Sequence, residues 1–265
     1  MTEKEYRSHP AISRSELWHI HESPQKFAYY VAHPEEPTSS LLLGQVFHKL
    51  ALEPDSFLEE YAVAPKCDRR TKEGKAIWAD FQQASQDKIV VPMEMYEQAS
   101  EMCKSLAAVP FAVKLLSGRN EVPFFWRDAL TGEECKCRVD CLNENFSQPI
   151  VVDLKSTTDA STESFMKSAI NYGYDFQAAM YSEGVEANIM QTPMFVFIAV
   201  EKDPPYAVNI MQADELLIRR GFGLYRSFLD TYHDCKMTGN WFGYLGKANQ
   251  INTLGLPSWL AKEVE

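Results

Sequence analysis

Ile150-Val151-Val152-Asp153-Leu154-Lys155 is the stretch on which the reading of this chain turns. Alternation along an extended strand sends Val152 and Leu154 to one face, into a core, and Val151, Asp153 and Lys155 to the other. A carboxylate and an ammonium then stand side by side. Upstream, Glu134-Cys135-Lys136-Cys137-Arg138-Val139-Asp140-Cys141 reads as a neighbouring strand. If the two pair antiparallel, Asp140 can sit across from Asp153. Carboxylates placed so close repel each other, and a divalent cation relieves the repulsion. Mg²⁺ takes oxygen ligands and favours one or two carboxylates plus a substrate phosphate. Lys155 has two tasks open to it: orienting or helping to deprotonate an attacking water, or holding a phosphate as a point charge. Such a set suits metal-assisted phosphodiester hydrolysis. A bare Asp-x-Lys triplet is common as an exposed cross-strand pair, so its neighbours carry the weight.

Three neighbours bear on it. Gly44-Gln45-Val46-Phe47-His48 puts Gly44 and His48 on one helical face. Glycine permits a close approach, and the histidine can be a ligand, a phosphate contact or a satisfied core residue. Gln177-Ala178-Ala179-Met180-Tyr181 places an amide and a phenol on one face, able to bond a phosphate or the lysine. Glu121 lies on the strand before Asp140 and can enter the same metal shell or be an edge-strand charge.

Working outward, the chain reads as helices, a three-strand meander, a helix, two strands and a helix. Helices are predicted over 12–30, 41–53, 74–86, 93–108, 161–187 and 213–236, with Pro34 and Pro37 breaking the first from the second. Pro65 to about Lys75 reads as a mobile or functional segment. Strands are predicted at 121–128, 134–144 and 149–157, then at 194–202 and 206–211 as a hairpin across Asp203-Pro204-Pro205. The expectation is an α/β (α+β) domain, a central mixed sheet flanked by helices. Residues 1–115 would be helical cover, 116–238 the sheet core and 239–265 an irregular tail tacked on by Trp241, Phe242 and Trp259.

The 265 residues are 45% hydrophobic and 24% charged, the balance of a globular chain, with no apolar run long enough to span a bilayer. The opening Met1–Ser13 has no signal-peptide pattern, and the expected location is cytoplasmic, without membrane contact. A net charge of -11 excludes long-range attraction to DNA by the total, so a DNA partner needs a local basic groove or metal-neutralised carboxylates. The six cysteines form no Cys-x-x-Cys pair. Cys135, Cys137 and Cys141 share a strand side with Val139 and read as small buried thiols rather than a zinc site.

In the order Gly-x-x-x-His, Glu, Asp, Asp-x-Lys, Gln-x-x-x-Tyr, the sequence resembles the PD-(D/E)xK nuclease superfamily, specifically its RecB-type branch. Ile12-Ser13-Arg14-Ser15-Glu16-Leu17 and Ser23-Pro24-Gln25-Lys26-Phe27 resemble that branch's N-terminal signature. The Gly44–Pro54, Val152–Thr157 and Tyr172–Tyr181 segments look like RecE-type (exonuclease VIII) nuclease domains. The resemblance runs from about residue 10 to Pro257-Ser258-Trp259. It implies a restriction-endonuclease-like core in one nuclease domain over 1–265. It also implies 5′→3′ degradation of double-stranded DNA ends, leaving 3′ single strands for recombination. Mg²⁺ would be the cofactor, with Mn²⁺ substituting. A ring-shaped homo-tetramer and a single-strand annealing partner are implied as well. By motif match His48, Asp140, Asp153 and the Leu154 carbonyl would bind metal and Lys155 would be the catalytic lysine. Gln177 and Tyr181 would support phosphate or lysine, and Ser13 and Ser15 would touch DNA. The family pattern often has glycine where Arg138 stands, which would bring a guanidinium near the phosphate. Iron–sulfur relatives carry four cysteines, and no such cluster is expected here.

Arg69, Arg70, Lys72 and Lys75, with Lys66 before and Trp78 after, form the densest basic run and are expected to line the DNA path. Trp78 is a candidate wedge against the terminal base pair. Two rivals share these residues: an endonuclease or structure-specific nuclease on the same core, and a catalytically silent DNA-binding scaffold.

Overall fold

The computed structural model describes residues 1, 3–33, 37–246 and 251–256; Pro34, Pro257, Ser258 and Trp259, singled out above, lie outside the described residues. In chain order the elements are α1 (Glu3–Ser8), β1 (Ile12–Ser13), α2 (Arg14–Trp18), α3 (Pro24–Ala32), α4 (Ser39–Leu52), α5 (Phe57–Glu60), β2 (Tyr61–Val63), α6 (Lys72–Ala84), β3 (Ile89–Val91), α7 (Met93–Ala107), α8 (Pro110–Leu115), β4 (Arg119–Arg127), β5 (Glu134–Asn143), β6 (Ile150–Thr157), α9 (Thr162–Asn171), α10 (Tyr174–Ile189), β7 (Met194–Glu201), β8 (Val208–Gln212) and α11 (Glu215–Thr238). They divide into two compact units, Met1–Arg14 with Glu36–Tyr225 and Ser15–Glu35 with Arg226–Glu265. No helix among the described residues is long and apolar enough to cross a membrane.

The first unit holds a six-stranded mixed sheet in the order β1-β5-β6-β7-β8, with β4 also paired to β5. It has the expected α/β architecture, a sheet flanked by helices. The β4–β5 and β5–β6 pairs are antiparallel, and β6 runs parallel to β7 along its whole length, from Ile150↔Met194 to Thr157↔Glu201. A parallel neighbour needs a crossover, and α9 and α10 supply it. The expected β7–β8 hairpin forms antiparallel. Val152 and Leu154 join Val46 and Phe47 of α4 and Met102 and Leu106 of α7 in one apolar cluster. The other face of β6 is covered too: Val151 and Asp153 are buried, as are Phe176, Ala179 and Met180 of α10. A strand covered on both faces reads as a nearly continuous apolar run, as this one does.

Three sequence readings are corrected. The helix expected over 12–30 is instead a short strand, α2, a 3₁₀ turn (His19–His21) and α3. Ser23 accepts from the Lys26 backbone N–H and Pro24 takes the first helical position, so a new helix starts there. The helix expected over 161–187 breaks at Gly173, whose φ of 65° is left-handed. The segment Pro65–Lys75 is loop only to Thr71, whose hydroxyl caps α6 by accepting from Gly74 N–H. The small parallel pair β2–β3 was not anticipated, being only three residues per strand.

In the second unit Phe27 of α3 stacks on Trp241, with ring centroids 5.0 Å apart, and meets Tyr232 edge-on. Gln25 N–H donates to the Phe242 carbonyl. The Trp241 ring and the Phe242 carbonyl thus tie the segment after α11 to α3.

Candidate metal centre

The site lies where β5 and β6 part. Their ladder runs Asn143↔Ile150, Leu142↔Val151, Cys141↔Val152 and stops there. One more step would have paired Asp140 with Asp153. The Asp140 side chain takes over instead, its Oδ2 accepting from the Leu154 backbone N–H at 2.7 Å. On the other edge of β5, Asn120↔Cys141 and Val122↔Val139 bracket Glu121, which the register sets opposite Asp140. Glu121 has a φ of 51°, a left-handed backbone that costs a non-glycine residue on the order of 1 kcal/mol or more. α4 brings His48 to the same place. A Cβ on Gly44 would come 3.3 Å from the Ser156 hydroxyl, so the glycine lets α4 lie against β6 one turn before the histidine.

His48, Glu121 and Asp140 place one ligand atom each within 4.8 Å of one another. Glu121, which the sequence reading allowed into the same metal shell, joins the expected His48 and Asp140 in this group; Asp153, expected with them, lies within electrostatic reach of Asp140 and His48. Asp153 is 1% exposed and otherwise engaged. Its Oδ1 accepts from the Gln177 amide, and its Oδ2 lies 2.6 Å from Lys155 Nζ. Lys155 Nζ also lies 4.9 Å from the centroid of the Tyr174 ring. Gln177 therefore bonds the carboxylate, not the lysine. Tyr181 is half-buried near Asp153 and Arg14, and desolvation pushes its hydroxyl well above the usual tyrosine range.

Electrostatics set the site's appetite for charge. Burial raises the Asp153 carboxyl to about 6; Lys155 pulls it down and Asp140 pushes it further up. Burial also raises Asp140, against Lys155, the Leu154 N–H and Arg138. Burial, then Lys155, lowers His48 to about 4, so the imidazole is neutral near pH 7 although its Nδ1 lies 3.6 Å from Asp140 Oδ2. Burial alone would lower Lys155, but Asp153, Asp140 and Tyr174 outweigh it and hold the ammonium above its ordinary range. One buried carboxylate, Asp153, and two half-buried ones, Glu121 and Asp140, with Lys155 and Arg138 as near cations and a neutral imidazole beside them, fit a hard or borderline divalent cation with oxygen and nitrogen donors.

The remaining expected residues fall as follows. Arg138 Nε pairs with Glu121 Oε2 at 2.7 Å, and its guanidinium lies 5.2 Å from the Tyr6 ring centroid. Tyr6 is held there in part by the buried Lys136, whose Nζ donates to the Tyr6 and His9 carbonyls. Ser13 pairs through β1 with Lys136 of β5; Ser15 belongs to the second unit and is exposed. The basic run is partly neutralised: Lys66 pairs with Glu97, and Arg70 is bidentate to Asp68. Arg69 lies 3.2 Å over the Trp78 ring, so Trp78 is covered rather than projecting as a wedge. Lys72 and Lys75 are exposed on α6. All six cysteines are free, and Cys135, Cys137 and Cys141 are buried as expected.

Two site residues escaped the sequence reading. Tyr174 underlies Lys155, and Arg14 is packed among Tyr181, Asp153, Tyr174 and Asp175. Arg14 Nη2 donates to the carbonyls of Tyr172 and Gly173, 3.0 Å to the latter, at the break between α9 and α10. Both stand inside the motif segments quoted above. The only available signal was that an arginine and a tyrosine sat among residues already singled out.

A mixed sheet carrying acidic groups and a lysine at a strand divergence, with a histidine delivered by a flanking helix, defines a PD-(D/E)xK-like fold. The family model described as "PDDEXK-like domain of unknown function (DUF3799)" matches residues 13–253, and the chain belongs to that family. Among solved structures, one from Eubacterium rectale named "Putative exonuclease" superposes with a TM-score of 0.66 at 14% identity, covering 97% of this chain and 96% of its own. That likeness is one of fold. A second, of SSO0001, covers 71% of this chain and 85% of its own at a TM-score of 0.33 and 13% identity, and carries no argument. No curated protein matches the chain.

Proposed function

We propose that this protein is a metal-dependent deoxyribonuclease of the RecB-type branch, acting 5′→3′ from double-stranded DNA ends and leaving 3′ single strands. The observation that carries the hydrolytic reading is the convergence of His48, Glu121 and Asp140 beside the Asp153–Lys155 pair. His48, Glu121 and Asp140 would hold the ion, with Asp153 and the Leu154 backbone next to it. When bound, a divalent cation, Mg²⁺ by preference and Mn²⁺ in its place, supplies Lewis acidity toward a phosphate oxygen. Lys155, paired with Asp153 and backed by Tyr174, presents a positive charge to the scissile phosphate and orients the attacking water. Gln177 fixes the Asp153 carboxylate so that the lysine is held in place. Tyr181 and Arg14 close the inner wall and limit water.

The exonucleolytic reading rests on motif order, supported by the name of the Eubacterium rectale structure. A single nuclease domain, ring assembly, an annealing partner and a DNA path along Ser13, Arg69, Lys72 and Lys75 belong to the same proposal. Linear duplexes labelled at the 5′ or 3′ end, beside internally labelled covalently closed duplexes, test the activity, its end requirement and its polarity. Loss of 5′ label from linear DNA alone, requiring Mg²⁺ or Mn²⁺, is the expected result. Cleavage of closed circles would replace it with an endonuclease, and binding without cleavage with a scaffold.

A further inference from the structure

We propose that Arg138 couples metal binding to phosphate binding: as the resident counter-ion of Glu121 it holds metal affinity down until a DNA phosphate shares its charge. This rests on the metal-centre reading above.

The geometry begins with Glu121. Its left-handed backbone, opposite Asp140 in the β4–β5 register, accompanies a carboxylate gathered with His48 and Asp140 rather than one left on a solvent edge. Arg138 is two residues before Asp140 on β5, so the two side chains leave the strand on the same side. Its Nε bonds Glu121 Oε2 at 2.7 Å, and both side chains are mostly buried, at 27% and 18% exposure. Glu121 in turn faces Asp140 in the β4–β5 register, and His48 Nδ1 lies 3.6 Å from Asp140 Oδ2. Tyr6 flanks the guanidinium. One cation is thus in contact with one candidate ligand, which is itself gathered with the other two.

Two consequences follow. A divalent ion entering the group meets an adjacent positive charge and a carboxylate already half satisfied, so it binds more weakly than the donor set alone would allow. A phosphodiester beside Arg138 offsets that charge, and the ion then binds more tightly. By linkage the ion strengthens phosphate binding by the same factor. Arginine suits both roles, because its fork can keep Nε on Glu121 while offering its other donors to a phosphate oxygen.

The test uses the intact chain and two readouts that need no turnover. Mn²⁺ affinity is measured by calorimetry without DNA, and affinity for a short duplex by fluorescence anisotropy with Ca²⁺ or with chelator. Arg138→Gln is expected to bind Mn²⁺ about tenfold more tightly than the native protein, as expected for removing one nearby charge. It should also lose the mutual enhancement between Ca²⁺ and duplex that the native protein shows. Arg138→Lys, which keeps the charge, should bind Mn²⁺ close to the native value, and Arg138→Met, which removes it, should show the same gain if Arg138→Gln misfolds. In a Glu121→Gln background the Arg138→Gln gain should shrink. If the native protein binds Mn²⁺ and Arg138→Gln binds it no tighter, the coupling role is refuted while the metal centre stands. If the native protein binds no Mn²⁺ at all, the metal-centre reading falls and this inference with it.

Discussion

Asp140→Asn should make the metal-free protein more stable while abolishing its response to metal. Asp153 shows why. Its carboxyl is raised from 3.8 to about 6, so holding it ionised in the fold at neutral pH costs about 3 kcal/mol, at about 1.36 kcal/mol per pH unit. Burial is the first cause and Asp140 contributes repulsion on top. Neutralising Asp140 removes that repulsion and Asp140's own burial cost, while the new amide oxygen can still accept from Leu154 N–H. A gain of about 1–2 kcal/mol at pH 7.5 is expected, and each kcal/mol should raise Tm by about 2–4 °C. A folded carboxyl with a raised pKa stabilises most below its unfolded value near 4, and that contribution is lost as pH rises through about 6. The advantage of the variant should therefore fade toward pH 4. His48 runs the other way: its folded value of about 4 gives stability present above 6.5 and lost as pH falls through about 4. The two nearly cancel in the native profile, so the difference between variant and native protein is the informative curve. Thermal unfolding in chelator and in Mn²⁺, at pH 4.5 and 7.5, measures it. Native protein should gain about 2.7 kcal/mol at a hundred times the Mn²⁺ dissociation constant, and the variant almost nothing. A variant less stable than native in chelator at pH 7.5, or equally stabilised by Mn²⁺, would refute the reasoning.

Other changes probe the supporting groups. Lys155→Ala removes the partner of a buried carboxylate and should cost about 3–5 kcal/mol at pH 7.5, much of it recovered near pH 5 where Asp153 takes up a proton; hydrolysis should be lost at both pH values. Gln177→Ala strips a donor from Asp153 and should cost about 1–3 kcal/mol, moving the acid limb of the rate profile to higher pH, as pH titration of the cleavage rate would record. Gly173→Ala puts a Cβ on a left-handed residue at the α9–α10 break; a loss of about 1–2 kcal/mol in denaturant unfolding should accompany slower cleavage, because Tyr174 and Gln177 start from that turn.

Residue pattern alone carried much of this protein. Alternation in Ile150–Lys155 put Asp153 and Lys155 on one side of a strand, and the i, i+4 spacing of Gly44 and His48 put them on one helical face; both are properties of local backbone geometry. The order of the predicted helices and strands was enough to expect a mixed sheet with flanking helices. Local patterns failed where partners are distant. Pro24 and Gly173 divide helices that periodicity ran together. The Asp153 face of β6 looked open but lies under α10. Which carboxylates meet His48 could not be read from spacing: the β4–β5 register and the left-handed Glu121 bring that residue in, and Asp153 bonds Gln177 and Lys155. Arg14 reaches the site from a point far from it along the chain, and Arg138 finds Glu121 across a strand pair. Sequence determined which chemical groups are present and which face each takes on its own element. Only the tertiary structure decided which of them touch, because charge pairing in a buried site depends on distances between elements that no local periodicity encodes.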